Sequence, residues 1–462
     1  MYLKIVTGIS IVIIASRGAL AQVPPAPPPA VFPDPLEEPP ASIMRLDYFY
    51  NYSWRSFIAL NWPAKIGAAS RGLPDRKRAF GDTNGPRVWM TWKSRYEIFQ
   101  PMGRLPSPWA SYDGKNPCGE GFANDVETLS SFSPFHDFDQ ADLGFNLGNA
   151  LVAQNRTYVR YEVRVNEPEF DSIVGNKWYI ATNLPTSATP PVPFNIGSTA
   201  IKAAWRILNE MDTPANRSRY YVVRNAQVFD VASGECTLQD AALVGFHIVT
   251  KTKERPQWIW STFEHIDNVP GVRGIKTAET VPFSFNNPYQ PQELTERPLP
   301  LISPNYPPSA DLQPMQVVRD PDMPITREAM RMNTAYWNLP EIKRTVWQNY
   351  MLVMTQWPAE PKKPEFEPFP GGALALSNSI METYFQKGPG CMQCHQISND
   401  KGRDFVMFVT MDAFRPGVLT PGDQFSAKNA RSSDESVKAE SALSSDPMLK
   451  SLKQFFEAIE PK

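Results

Sequence analysis

The sequence predicts an α+β fold: a large β-rich mixed domain followed by a small, mainly helical module. Three observations carry that expectation. Strand-like runs rich in Val, Ile, Tyr, Phe and Trp outnumber helical patterns and do not alternate with them, which favours hairpins over regular βαβ units. Proline accounts for 47 of 462 residues, against a usual share of about 5%, and it clusters where it divides the chain. At 42% hydrophobic and 20% charged, the chain has material for one large core and a smaller second unit. A net charge of −2 gives no reason to expect nucleic acid or an anionic membrane as partner.

Residues 1–21 read as a secretory signal peptide. Lys4 supplies a positive start, Ile5 to Ser16 is mostly apolar, and Ala19-Leu20-Ala21 fits the small-x-small cleavage pattern. The apolar run is shorter than the ~20 residues that span a bilayer. The expected address is therefore periplasmic, with no transmembrane segment in the mature chain. Residues 22–42 form a Pro-rich tether, with nine prolines between 22 and 40.

The body is expected over 43–357. Asn51 to Trp62 places Trp54, Phe57, Ile58 and Asn61 on one helical stripe before Pro63 stops it. Strands are expected at Arg87 to Trp92, Tyr158 to Val165, Tyr220 to Phe229, Ala242 to Thr252 and Gln257 to His265. Ser198 to Leu208 reads as a helix capped by Ser198. Residues 282–324, with eleven prolines, should run as ordered coil. Pro340 should open an amphipathic helix carrying Ile342, Val346, Tyr350 and Val353. A Pro/Gly linker over 358–372 then leads to the module at 373–462.

Export bears on the four cysteines. Cys118 and Cys236 sit in polar, Gly-containing surroundings that suit loops, and outside the cytosol they are expected to pair as a disulfide. Cys391-Met392-Gln393-Cys394-His395 is the haem c attachment pattern. Two thiols separated by two residues reach the two vinyl groups of one porphyrin. The adjacent imidazole of His395 then serves as the proximal iron ligand. A redox CxxC or a disulfide is the competing reading. A zinc site would need two further ligands, and no Cys or His follows residue 395.

The distal iron ligand stays open at this stage. Met407, Met411 and Met448 are candidates within the module, because thioether is the usual partner of His in such proteins. The body offers His265, beside Glu264, Asp267 and Asn268; His265 with Glu264 is also the candidate acid/base pair should the protein be an enzyme. His247 and His265 fall on two strands of one hairpin. With a turn centred near residue 254, His265 faces position 243, too far from His247 to share a metal ion.

The context of the haem motif resembles class I cytochromes c. Ser379-Ile380-Met381-Glu382 reads as a capping box opening a helix with Tyr384 ahead of the motif, and Asp446-Pro447-Met448 is expected to start a terminal helix. Phe57 to Pro63, TFEHIDNVP at 262–270 and NSIMETYFQKGPGCMQCH at 378–395 together resemble a bacterial family of large exported monohaem c-type cytochromes. That resemblance implies one covalent haem c, with thioethers at Cys391 and Cys394 and proximal ligation at His395. The expected function is electron transfer to or from a periplasmic redox protein or a small-molecule donor or acceptor. A haem-dependent oxidoreductase, peroxidase-like or oxidising a substrate in the body, and a haem-based sensor are the alternatives.

Overall fold

The computed structural model describes residues 38–112, 128–130, 150–186, 191–230, 235–271, 282–293, 312–361, 376–387 and 390–416. The organising element is a mainly antiparallel eight-stranded sheet. Its strands are β1 (Lys93–Ser94), β2 (Thr128–Ser130), β3 (Val159–Val165), β4 (Thr199–Ile207), β5 (Val222–Asp230), β6 (Glu235–Thr250), β7 (Ile259–His265) and β8 (Tyr350–Gln356). They follow the order β1-β3-β4-β6-β5-β2, parallel only where β2 meets β5. β6 is long enough to take two neighbours on one edge: its first half pairs with β5 and its second half with β7, which carries β8.

Helix α1 (Leu46–Leu60) covers one sheet face. Trp54, Phe57 and Ile58 are fully buried there with Ile201, Ala203, Trp205, Phe246, Ile248, Phe263 and Leu352. Short helices α2 (Arg95–Ile98), α3 (Glu167–Gly175) and α4 (Pro214–Arg217) decorate the sheet, and α5 (Arg327–Trp337) packs beside α1. Helices α6 (Cys391–Asp400) and α7 (Phe408–Asp412) lie on the opposite face. There Met392, Phe405, Val406 and Val409 share a core with Ile98, Val165, Phe170, Trp258 and Trp260. Ile380 and Met381 join another with Tyr161, Ala204 and Val244. Among the described residues, no helix is long and apolar enough to cross a membrane.

Several sequence expectations are corrected. Residues 199–207 form a strand, not the helix expected over 198–208. Ile201, Ala203, Trp205 and Ile207 enter one core while Lys202 and Ala204 face the other side, which is period two; pairing with both β3 and β6 settles the conformation. The helix expected from Pro340 is instead a set of turns, a 3₁₀ turn at Val346–Asn349, and β8, whose seven residues are all buried against β7. Val88–Thr91 is a 3₁₀ turn rather than a strand. Residues 379–387 form turns without the expected helix. Glu382 does accept a backbone N–H, but from Asn378 at 2.7 Å rather than from Ser379.

Candidate functional site

Helix α6 places Cys391, Cys394 and His395 on one face, because positions three and four apart are neighbours on a helix. Gly390 precedes it, donating its backbone N–H to Gln393 Oε1 at 3.3 Å. Ser398, one turn further along the same face, donates to the Val406 carbonyl at 2.7 Å. The chain beyond α6 is pinned by Asp404, which pairs with Lys251 at 2.9 Å and accepts the backbone N–H of Phe194 at 2.7 Å. Asp404 and Phe405 adopt φ of 46° and 66°, uncommon for residues with a side chain. That turn aims the Phe405 carbonyl at His395, whose Nδ1–H donates to it at 2.7 Å. The bond selects the tautomer with Nε2 unprotonated and orients the ring, as a metal-ligating imidazole requires. Burial lowers the His395 pKa to about 4, which keeps the ring neutral.

The thiols are held in the protonated form. Burial, with Glu382 as the next cause, pushes the Cys394 pKa up to about 12 and raises that of Cys391 well above its ordinary value. A disulfide oxidoreductase needs the opposite shift in its CxxC. The two thiols are not bonded to each other.

The sheet face beneath α6 is the other half of the site. Lys202, His247 and Thr262 form one transverse row across β4, β6 and β7. Trp260, next along the same face of β7, meets the His395 ring with centroids 4.5 Å apart. Within strands otherwise mostly buried, Val163, Ala200, Lys202, His247 and Val249 are partly exposed, as are Cys391, Cys394, His395 and Glu382. Ala200, Val249 and Cys391 border one hydrophobic cluster. Lys202 and Glu382 bring opposite charges within electrostatic range of each other and of both thiols. The donor set therefore suits haem c: two thiols, an oriented imidazole, apolar side chains at Val163, Ala200, Val249 and Trp260, and a second imidazole nearby. The His247 Nε2 is buried and makes no hydrogen bond among the described residues; the Glu382 carboxylate is 3.8 Å away.

The acid/base pair expected from the sequence is not assembled. Glu264 and His265 are adjacent on β7 and face opposite sides of the sheet. Glu264 is buried, pairs with Arg319, and accepts Ser379 N–H at 2.6 Å and Ser379 Oγ–H at 2.8 Å. It anchors the segment ahead of α6. His265 stacks on Tyr220 with ring centroids 3.8 Å apart. Its Nε2–H donates to the Arg219 carbonyl and its Nδ1 accepts the Asp267 N–H, both at 3.1 Å. Burial lowers its pKa to about 4. With both nitrogens engaged, His265 has no lone pair for iron.

The hairpin register also differs by one residue. Gly245 pairs with Glu264 and His247 with Thr262, so His247 and His265 lie on opposite faces. They do not share a metal ion, but the geometry behind that is not the one expected. Met407 precedes α7 as its N-cap residue and Met411 lies within it; both are partly exposed. Met448 and Cys118 lie outside the described residues. Cys236 stands in β6 opposite Phe229. Sequence reasoning gave His247 little weight and overlooked Lys202, Trp260 and Glu382. The only available signal was the alternation in VGFHIVT, which sets His247 on the face opposite Phe246 and Ile248.

No family model, curated protein or solved structure matches the chain.

Proposed function

We propose that the protein is an exported c-type cytochrome carrying one covalently bound haem, and that it transfers electrons to or from a periplasmic redox protein or a small-molecule donor or acceptor. One observation carries the reading: Cys391, Cys394 and His395 share a helix face over a partly exposed sheet face bearing Val163, Ala200, Lys202, His247 and Val249, with the His395 Nδ1–H bonded to the Phe405 carbonyl. When bound there, haem supplies a one-electron redox couple. The chain supplies the rest. Cys391 and Cys394 would hold the porphyrin as thioethers, and His395 would bind the iron through Nε2. Trp260 packs against the ligating ring. The Phe405 carbonyl raises the ring's basicity, a lever on the potential. On this reading α6 and α7 belong to a small cytochrome-c-like unit and pack against the sheet, and the resemblance to large exported monohaem cytochromes points the same way.

The test is a redox-resolved optical spectrum of the purified protein, with and without carbon monoxide. Expected are haem that stays on the polypeptide after denaturation, loss of that linkage in Cys391→Ala/Cys394→Ala, and a ferrous spectrum that carbon monoxide leaves unchanged. Haem extracted by acid and solvent would overturn covalent attachment. Prompt carbon monoxide binding would overturn electron transfer in favour of peroxidase-like or sensor chemistry.

A further inference from the structure

A buried nitrogen with no partner is costly, because it has lost its water and gained nothing. His247 presents such an atom. Its Nε2 is out of solvent and makes no hydrogen bond among the described residues, and 3.8 Å to Glu382 exceeds hydrogen-bonding distance. An atom left in that condition is explained if its lone pair is meant for a metal. The ring lies in the Lys202–His247–Thr262 row, one cross-strand pair from Trp260, on which the His395 ring rests at 4.5 Å.

We infer that His247 supplies the second axial ligand of the haem iron, so that His395 and His247 hold it between them. This rests on the haem c reading above. Four further observations agree. His247 lies close enough to His395 to interact with it electrostatically. The partly exposed Val163, Ala200 and Val249 border the same row and offer an apolar surface to a porphyrin. The competing imidazole, His265, is on the other sheet face with both nitrogens committed. The run carrying Met407 and Met411 starts at Phe405, whose carbonyl holds the nitrogen of His395 that points away from the metal.

The experiment uses the full-length holoprotein with haem covalently attached. In the oxidised wild type, electron paramagnetic resonance and near-infrared magnetic circular dichroism should give the low-spin signature of two imidazoles, without the charge-transfer band of methionine sulfur. His247→Ala should retain covalent haem, become high-spin and gain carbon monoxide binding. Added imidazole should restore the low-spin spectrum, and His247→Met should convert the signature to His/Met with a raised potential. His265→Gln should change none of these. A methionine band in the wild type, or a low-spin, carbon-monoxide-inert His247→Ala, would overturn His247 while leaving the cytochrome reading intact. A high-spin, carbon-monoxide-binding wild type would overturn both this assignment and the electron-carrier reading. Absence of covalent haem would remove the basis of both. Even if the variants fail to mature, a wild-type spectrum without the two-imidazole signature overturns the assignment.

Discussion

At the residue scale, the molecule distinguishes buried polar groups that are satisfied from those that are not. His265 and Glu264 are fully engaged and serve packing. Glu169 belongs to the other group. It is wholly buried in α3, and neither carboxyl oxygen has a hydrogen-bond partner among the described residues. Burial, with nearby Asp404 adding to it, raises its pKa well above the usual 4.5. The native state therefore binds a proton that the unfolded chain releases above about pH 4.5, so this group's contribution to stability is complete below that pH and declines as pH rises through the native pKa. In that window, the loss should approach about 1.4 kcal/mol per pH unit. Glu169→Gln, which keeps shape without the charge, should flatten the alkaline side of a denaturant-derived stability profile. An unchanged slope in the variant would show that Glu169 is not the titrating group.

At the element scale, the decisive contact is between β6 and the segment ahead of α6. Gly245 faces that segment, and a Cβ there would lie 3.2 Å from Met381 Cε and 3.4 Å from Ala204 Cβ. The end of a methionine side chain yields easily, so Gly245→Ala should cost less than about 1 kcal/mol. Gly245→Val adds volume to a packed face and should destabilise by about 1–3 kcal/mol, read as a lower denaturation midpoint. A valine variant as stable as the parent would mean the segment is not seated on the sheet. Glu264 acts on the same junction by holding Ser379 and Arg319.

At the scale of the whole molecule, residues 376–387 and 390–416 are joined to the sheet through buried contacts. Met392, Phe405 and Val409 share one core with Ile98, Val165 and Trp260, Ile380 and Met381 share another with Tyr161 and Val244, and Arg95 pairs with Asp412 at 2.9 Å with both side chains out of solvent. Shared cores couple unfolding. On the proposed haem c reading, thermal unfolding followed by far-ultraviolet circular dichroism and by haem absorbance should therefore superimpose. Loss of the haem signal at a clearly lower temperature would show that the terminal unit melts on its own.

What the sequence determined by itself is local. The Cys391–His395 spacing needs no fold to be read, because its chemistry is contained in five consecutive residues. Helix α1 and four of the eight strands, β3, β5, β6 and β7, were legible from period and composition. Runs such as 199–207 and 350–356 were not: their residues suit a helix well enough, and only pairing with neighbouring strands made them β. The site's second half was decided by tertiary structure alone. Lys202, His247 and Trp260 are scattered over three strands, and a one-residue difference in hairpin register determines whether His247 shares the sheet face with Trp260 and His395. Side chains alternate with period two, so a single-residue slip exchanges the two faces, and the turn sequence did not specify that register to within one residue.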